Sequence, residues 1–247
     1  MNIAIIIPAR LASTRLPNKP LINIKGKTMI ERVCLQAQKT KYQRIYVACS
    51  EVETKEVVEQ AGFRAIMTQA DLPSGTDRIY HALLELEQEE KIDIIVNLQG
   101  DLPNIAPDVI ADTVDALLTN DLADIATAVV KIEDSNLAND PNVVKAVVNF
   151  PAGKNTSMAH YFSRAKIPYN APLYYEHIGI YVYRRSAIEK FVTLAESNLE
   201  KYEKLEQLRA IDNGMKIIAK LIPSAQKPIS IDTQADLELL LAKIANQ

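Results

Sequence analysis

The sequence predicts an α/β fold with a mostly parallel central sheet. Short runs of β-branched and aliphatic residues, such as Ile3 to Ile7, lack the alternation of a half-exposed strand and are typical of strands covered on both faces. Longer stretches with the apolar spacing of helices separate these runs. Because strands and helices take turns along the chain, we expect βαβ units with a mostly parallel sheet.

The first half of the chain carries this alternation most clearly. Ile3 to Ile7 predicts the first strand, and Met29, Ile30, Val33 and Ala37 have the spacing of one helix face. The elements predicted after them are strands at 44–48, 64–67 and 92–98 and helices at 51–61, 76–89 and 107–118.

After residue 122 the pattern changes, and loops rich in Asn and Pro separate the elements. This half is predicted to be mixed or antiparallel. Because no long linker interrupts the chain, we predict one domain over residues 1–247, with a smaller mixed α/β lobe inserted around 125–210. The predicted elements are strands at 125–131, 143–150, 177–183 and 216–222 and helices at 186–194, 204–211 and 233–245.

Composition narrows the class of protein. The 247 residues contain 28 Lys and Arg against 31 Asp and Glu. The pI of 5.7 argues against binding of nucleic acid through positive charge spread over the whole chain. The longest apolar run, Ile3 to Ala9, is far shorter than a membrane span and lacks the basic prelude of a signal peptide. Cys34 and Cys49 form no metal or disulfide motif, which favours a cytoplasmic protein.

A cationic loop follows the first predicted strand. Residues 1–27 contain five Lys and Arg and no acid, and Arg10, Arg15 and Lys19 lie in the loop from Ala9 to Leu21. Ligands of open α/β sheets bind beyond the carboxyl ends of the strands, and arginine forks with a lysine suit a polyphosphate. A solvated basic loop is the alternative, but the position after strand one favours an anion site.

The common phosphate and hydrolase motifs are absent from the sequence. It contains no GxGxxG, no GxxxxGK[ST], no HExxH and no GxSxG, and only seven glycines and three histidines. An ordinary dinucleotide dehydrogenase, a P-loop ATPase, a zinc protease and an α/β-hydrolase are therefore disfavoured.

Two carboxylates are candidate metal ligands. Asp101 ends the predicted strand and glycine turn of Gln99–Gly100–Asp101, where a carboxylate can hold Mg²⁺ over a bound phosphate. Asp232 precedes the last predicted helix, so Asp232 or Thr233 could equally be its N-cap. A turn aspartate that bonds its own backbone is the alternative for Asp101.

Further polar groups lie in two other segments. Pro73 to Arg78 forms a turn leading into a helix, where first-turn amides and Arg78 could meet an anion or a ribose, although a plain capping turn would look the same. His177 and Tyr181 are four residues apart on a predicted strand and should share a face. A buried histidine with an internal hydrogen bond is the usual explanation for such a residue.

Taken in order, these segments resemble the CMP-Kdo synthetases, the 3-deoxy-manno-octulosonate cytidylyltransferases, over nearly the whole chain. The motifs that carry the resemblance are IPARLASTRLPNKPL at 7–21, PSGTDR at 73–78, QGD at 99–101, NVVK at 142–145, FSRA at 162–165, HIGIYVY at 177–183, LEQLR at 205–209 and IDT at 231–233.

The resemblance implies a Rossmann-like nucleotidyltransferase fold and a cytoplasmic, Mg²⁺-dependent homodimer. Such an enzyme joins CTP and Kdo to give CMP-Kdo and pyrophosphate, and its product supplies lipopolysaccharide synthesis. Neither a nucleic acid nor a membrane is an implied partner.

The resemblance also assigns roles to individual residues. Arg10, Lys19, Asp101 and Asp232 would be catalytic, with the two aspartates binding Mg²⁺. The residues implied to bind the nucleotide are Ala9, Arg10, Arg15, Lys19, Ser74, Arg78 and Asp101. The residues implied to bind the sugar are Gln99, Arg164, His177, Tyr181, Glu206 and Gln207.

The chain departs from the family pattern at a few positions, and alternatives remain open. Leu102 stands where the family commonly has Glu, and Asn18 where Gly is frequent. A cytidylyltransferase for another acidic sugar, such as a sialic acid, is the nearest alternative. A glycosyltransferase should show a DxD motif, which is absent, and a silent nucleotide-binding module would not need both Asp101 and Asp232.

Overall fold

The computed structural model describes residues 1–11 and 16–245 of the chain. The strands are β1 (Ile3–Ala9), β2 (Asn23–Ile24), β3 (Lys27–Thr28), β4 (Arg44–Cys49), β5 (Arg64–Met67), β6 (Ile94–Leu98), β7 (Ile125–Lys131), β8 (Lys145–Val148), β9 (Thr156–Ser163), β10 (Tyr175–Arg184) and β11 (Ile217–Ile222).

The α-helices are α1 (Met29–Gln38), α2 (Val52–Gln60), α3 (Gly75–Leu86), α4 (Pro107–Leu118), α5 (Arg185–Thr193), α6 (Asn198–Glu203), α7 (Gln207–Asp212) and α8 (Gln234–Ala245). Within residues 1–11 and 16–245, no helix is long and apolar enough to cross a membrane. The chain divides into two compact units, one of Met1–Ile110 with Pro228–Gln247 and one of Ala111–Lys227.

In the first unit the strands run in the order β5–β4–β1–β6, and all three pairings are parallel. Ile5 pairs with Ile45 of β4 and with Val96 of β6, so β1 is central and its aliphatic side chains are buried, as its sequence predicts. Parallel pairing brings the carboxyl ends of β1, β4 and β6 to one edge. The residues that follow these strands therefore lie close together.

The second unit has mixed strand pairing, as the sequence predicts for the part of the chain after residue 122. Its strands run in the order β10–β7–β11–β9–β8; β7 and β11 pair in parallel, whereas β10–β7, β11–β9 and β9–β8 are antiparallel. β8 also pairs with β10, at Lys145 and Glu176. The turn between β8 and β9 is short, and a short connection permits an antiparallel pair but not a parallel one. The fold is therefore mixed α/β. The mixed pairing predicted after residue 122 is confirmed, whereas the prediction of a mostly parallel central sheet is not.

Most predicted elements are confirmed within a few residues, but the strands β2, β3 and β9 and the helix α6 were missed. β9 carries Thr, Ser and His among its apolar residues, and the six residues of α6 are too few to show a helical period. The hairpin of β2 and β3 has two residues per strand around Lys25 and Gly26, which both have positive φ. The helix predicted at 204–211 begins at Gln207, since Lys204 adopts a left-handed conformation that ends α6.

A hydrophobic cluster in the first unit joins distant parts of the sequence. Leu16 precedes the Lys19 turn, Met29 begins α1, and Leu237 and Leu240 belong to α8. Ile231 packs in the same cluster and is fully buried. Burial of these side chains holds the segment before α8 beside the loop that follows β1.

Candidate active site

A cavity of about 470 Å³ lies in the first unit, at the edge where the parallel strands end. This is the position at which open α/β sheets bind ligands. Most of the residues that the sequence predicts for nucleotide binding line this cavity. Its lining includes Pro8, Ala9, Arg10, Lys19, Ser74, Gly75, Arg78, Gln99, Gly100, Asp101 and Asp232.

The loop after β1 supplies two cations of this cavity, Arg10 and Lys19. Ala9 is the last residue of β1 and is buried, whereas Arg10 follows it and is exposed. Lys19 begins a short 3₁₀ helix, Lys19–Leu21, after Asn18, whose φ of 54° is left-handed. Asn tolerates that conformation better than other non-glycine residues, which explains how it replaces the frequent Gly. Arg15 lies outside the described residues.

The ammonium of Lys19 bridges the two predicted metal ligands. Its Nζ lies 2.9 Å from Asp101 Oδ2 and 2.9 Å from Asp232 Oδ1. Burial lowers the pKa of Lys19, but attraction to Asp101 and hydrogen bonds to both carboxylates outweigh burial and raise it above its usual value. The lysine is therefore charged, and the two carboxylates converge on one cation.

Backbone contacts bring Asp232 to Asp101 from far along the sequence. The amide of Ile231 donates to the carbonyl of Asp101 at 3.0 Å. Thr233 caps α8, because its hydroxyl accepts from the Asp236 amide while Asp236 Oδ2 accepts from Thr233. The cap that Asp232 or Thr233 could supply is thus provided by Thr233, and the Asp232 carboxylate bonds Lys19.

The residues on either side of Asp101 explain the shape of this turn. A Cβ at Gly100 would lie 2.9 Å from the carbonyl oxygen of Pro8, which is closer than real Cβ atoms approach. Glycine therefore lets the end of β6 approach the end of β1. Leu102, which follows Asp101, is buried, so its side chain packs inside the protein.

The donor set fits a hard divalent cation. Asp101 and Asp232 both present carboxylate oxygens, and their arrangement around the Lys19 ammonium shows that one cation can contact both. Mg²⁺ in proteins is typically held by one or two carboxylates and completes its shell with phosphate oxygens and water. Within residues 1–11 and 16–245, no group of three or more His, Cys, Asp and Glu could hold a metal, so water or phosphate oxygens would supply the remaining ligands of a bound metal.

The turn predicted at Pro73 to Arg78 begins a helix. The Ser74 hydroxyl accepts from the Asp77 amide at 3.1 Å and donates to Asp77 Oδ2 at 2.7 Å, so Ser74 is the N-cap of α3. Arg78 is 3% exposed and donates to the hydroxyl of Thr68. Burial, with repulsion from Arg10, lowers its pKa, and Glu51 opposes this. Both residues line the cavity and also stabilise the fold.

Gln99 lies in the same unit as the cationic loop. Its Nε2 donates to Oδ1 of the buried Asn97 at 2.6 Å, which fixes the side-chain amide at the end of β6. The other predicted sugar residues, Arg164, His177, Tyr181, Glu206 and Gln207, belong to the second unit.

His177 and Tyr181 share a face of β10, as their spacing predicts. Their ring centroids are 5.3 Å apart, and Phe162 packs against His177 edge to face at 5.1 Å. His177 Nε2 lies 3.0 Å from the Thr127 hydroxyl. Burial lowers the pKa of His177 to about 3, and burial raises the pKa of Tyr181 well above its ordinary value, with Tyr183 and Glu206 adding to it. Both side chains are therefore neutral near pH 7.

Glu206 and Gln207 lie at the start of α7. Gln207 is buried, and its Nε2 makes no hydrogen bond within the described part of the chain. A buried amide donor without a partner is costly, so it is a site where a polar ligand atom would be favourable. Arg209 of the same motif forms a two-fold hydrogen bond with Glu200 of α6, which holds α7 against α6.

The guanidinium of Arg164, which the family resemblance implies for the sugar, is held by backbone carbonyls. Its guanidinium donates to the backbone carbonyls of Glu203 at 2.8 Å, Pro141 at 3.0 Å and Lys204 at 3.4 Å. Two of these carbonyls, those of Glu203 and Lys204, lie at the C-terminal end of α6, where helix carbonyls have no intrahelical partner, and the arginine supplies one. Two of its five N–H groups are left for a ligand.

Sequence reasoning missed two residues that support this part of the second unit. Lys145 is fully buried and its Nζ donates to the carbonyls of Asp140, Val143 and Arg164 at 2.6 to 2.9 Å. Glu203 accepts from the Ser163 hydroxyl at 2.6 Å and from the Arg164 amide at 2.9 Å. Lys145 lies within the NVVK motif, so the motif was a usable signal, whereas nothing in the local sequence distinguishes Glu203.

The first unit combines fixed positive charge, a helix N-terminus and two converging carboxylates around one cavity. Such a set suits a nucleoside polyphosphate with a divalent cation, and the parallel α/β sheet presents it at the usual strand edge. Fold and site together define a protein of the nucleotidyltransferase class.

Comparison with known proteins narrows this class. Residues 4–217 match the model of a family described as Cytidylyltransferase. The chain is 46% identical to the 3-deoxy-manno-octulosonate cytidylyltransferase of Paramagnetospirillum magneticum over 234 residues, 95% of this chain and 94% of that protein. It is 48% identical to the protein of the same name from Brucella anthropi over 233 residues, 94% and 92% of the two chains.

A solved structure agrees with these sequence matches. The structure of a CMP:2-keto-3-deoxy-manno-octonic acid synthetase complexed with CTP aligns with a TM-score of 0.89 at 36% identity, covering 100% of this chain and 99% of the other. The chain belongs to the cytidylyltransferase family and, within it, to the group of the 3-deoxy-manno-octulosonate cytidylyltransferases, or CMP-Kdo synthetases.

Proposed function

We propose that the protein transfers CMP from CTP to the anomeric hydroxyl of Kdo, giving CMP-Kdo and pyrophosphate. The observation that carries the proposal is the convergence of Lys19, Asp101 and Asp232 within hydrogen-bond distance at the strand edge. Family membership supports the identity of both substrates, because relatives over most of the chain are named for this reaction.

The cationic residues would bind the triphosphate. Arg10 is exposed, and both Arg10 and Lys19 line the cavity, so a triphosphate bound there would contact their side chains. In the reaction the anomeric hydroxyl oxygen attacks the α-phosphorus in line and gives up its proton to solvent, the bond from that phosphorus to the bridging oxygen breaks, and pyrophosphate leaves with the bond electrons. Fixed positive charge stabilises the departing pyrophosphate, because the negative charge there grows in the transition state.

Asp101 and Asp232 would hold Mg²⁺. When bound, the metal neutralises phosphate charge and polarises the attacking hydroxyl. The two aspartates contribute oxygen ligands and a net negative charge, which together favour a divalent cation at the phosphate end of the cavity.

Ser74 and Arg78 would seat the cytidine. They lie at the N-terminus of α3 in the wall of the cavity, where their positions are fixed by the Asp77 and Thr68 contacts. Ala9 would contact the nucleotide through its backbone, and we keep Arg15 as a further candidate from the same loop.

The second unit would bind the sugar. Gln207 offers a buried donor, and His177 and Tyr181 offer a neutral, aromatic surface with polar edges. Glu206 would accept hydrogen bonds from sugar hydroxyls, and we keep Gln99 as a further sugar candidate. Arg164 would act mainly by holding the loop carbonyls around it. His177 is not proposed as a base, since a group with a pKa of about 3 is a poor proton acceptor.

The remaining features are proposed on the resemblance of the chain to its family. We propose a homodimer that works in the cytoplasm and whose product enters lipopolysaccharide synthesis. We also propose one domain over residues 1–247 with an inserted sugar-binding and dimerisation lobe around 125–210.

Mass detection of products tests the proposed function. The protein is mixed with CTP and Mg²⁺ and offered Kdo, sialic acids or neutral sugars in parallel reactions. We expect CMP-Kdo and pyrophosphate from the Kdo reaction alone. A CMP-sugar from sialic acid in place of Kdo would overturn the sugar assignment, and no product from any sugar would overturn the activity.

A further inference from the structure

Lys19 occupies a position that conflicts with its predicted role on the triphosphate. Its Nζ lies 2.9 Å from one oxygen of Asp101 and 2.9 Å from one oxygen of Asp232. The side chain of Lys19 is 16% exposed, while those of Asp101 and Asp232 are 26% and 41% exposed. The ammonium therefore lies on the inner side of the pair, in contact with both carboxylates.

An ammonium in this position competes with a divalent cation. Magnesium ligands lie about 2.0 to 2.1 Å from the ion, so an ion bound to both carboxylates would lie within a few ångströms of Lys19 Nζ. Like charges so close repel strongly in a half-buried site. The ion and the ammonium cannot both take the bridging position.

The carboxylates alone also make a poor site. Within the residues that the structure describes, no third Asp, Glu, His or Cys joins the pair to hold a metal. The remaining ligands must come from phosphate oxygens and water.

We infer that Lys19 acts as an internal counter-ion that keeps divalent metal off Asp101 and Asp232 until a polyphosphate binds. A triphosphate changes both sides of this competition, because it offers the ammonium another anionic partner and supplies oxygen ligands to the metal. Metal and triphosphate therefore bind cooperatively, and each raises the affinity for the other. The inference rests on the proposed function only for the identity of the polyphosphate.

Binding of Mn²⁺ alone tests the competition without any catalytic turnover. Free Mn²⁺ is measured by electron paramagnetic resonance during titration of nucleotide-free wild-type protein, Lys19→Met and Lys25→Met. Methionine has nearly the shape of lysine without its charge. We expect Lys19→Met to bind one Mn²⁺ at least about 10-fold more tightly than wild type. Lys25 is exposed, so Lys25→Met controls for the loss of one general positive charge.

A double variant locates the bound ion. Asp101→Asn in the Lys19→Met background should abolish the gain in affinity, with folding of each variant checked by circular dichroism. Equal Mn²⁺ affinity of folded Lys19→Met and wild type would overturn the inference. An equal gain in Lys25→Met, or a gain that survives Asp101→Asn, would overturn it as well.

This result is separable from the proposed function. Formation of CMP-Kdo by wild-type protein decides the function, whereas the Mn²⁺ titration uses neither CTP nor Kdo. A protein that makes no CMP-Kdo can still show the gain in Lys19→Met, and an active enzyme can lack it.

Discussion

Asp101 has two roles at the residue scale, because its carboxylate faces both Lys19 and the proposed metal position. Asp101→Asn keeps the size of the side chain and removes its charge. We expect this variant to lower kcat at least about 100-fold, since loss of a metal ligand removes several kcal/mol of transition-state stabilisation. Steady-state kinetics with saturating CTP and Kdo measures the effect.

The matched control is Asp108→Asn. Asp108 is an exposed carboxylate in the first turn of α4, and we expect its kcat to stay within about two-fold of wild type. Near-normal turnover in Asp101→Asn would remove this residue from the metal role.

His177 gives a pH-dependent prediction. Its pKa is lowered to about 3 in the folded protein, against about 6.5 in an unfolded chain. Between these values the unfolded state binds the extra proton, so the stability of the folded state is lost as pH falls below about 6.5.

The comparison with His177→Gln isolates this contribution. The difference in free energy of unfolding between wild type and the variant should shrink by about 1.4 kcal/mol per pH unit between pH 6 and pH 4. Urea unfolding at several pH values measures it. A difference that stays constant over this range would show that the histidine is not held neutral by burial.

At the scale of elements, the approach of β6 to β1 depends on a missing side chain. A Cβ at Gly100 would lie 2.9 Å from the backbone of Pro8, whereas a Cβ at Gly75 would meet only the Pro8 ring at 3.7 Å. We expect Gly100→Ala to lower the free energy of unfolding by about 1 to 3 kcal/mol. Gly75→Ala, at the start of α3, should change it by no more than about 0.5 kcal/mol.

Urea unfolding of the two alanine variants separates close approach from a general effect of glycine replacement. Equal stability of Gly100→Ala and Gly75→Ala would contradict the strand-end geometry on which the position of Asp101 depends.

The contact of α6 with α7 rests on a buried ion pair. Glu200 and Arg209 have side chains that are 8% and 11% exposed, and Arg209 also lies over the Phe191 ring at 4.9 Å. Removing one partner leaves the other charge buried, so Glu200→Gln should cost about 3 to 5 kcal/mol of stability. The double variant Glu200→Gln/Arg209→Met should cost less than the sum of the single changes.

An exposed pair provides the contrast. Lys55 and Glu59 on α2 lie 3.8 Å apart at the surface, and Glu59→Gln should change stability by less than about 1 kcal/mol.

The KM for Kdo in Glu200→Gln should rise more than the KM for CTP, because α7 carries Glu206 and Gln207. Equal changes in both constants would separate α7 from the sugar site.

At the scale of the whole molecule, the sequence predicted the first unit more fully than the second. Buried parallel strands have continuous aliphatic runs, and the charged loops after them are distinct in composition, so Arg10, Lys19 and Asp101 could be placed beforehand. The convergence of Asp232 with Asp101 could not be derived from spacing, because it depends on the Ile231 amide and on burial of the cluster around α8.

The second unit was harder to predict for physical reasons. Antiparallel strands such as β9 mix polar and apolar residues, and a six-residue helix has no measurable period. The engagement of Arg164 with three carbonyls depends on loop conformations that a side-chain motif does not report. The family resemblance named its residues, but their individual contacts required the structure.

The structure of the protein crystallised with CTP tests the central claim most directly. We predict the triphosphate in the cavity at the carboxyl ends of β1 and β6, within hydrogen-bond distance of Arg10 and Lys19 and beside Asp101. A CTP molecule bound elsewhere, remote from both the cations and the two aspartates, would contradict the account.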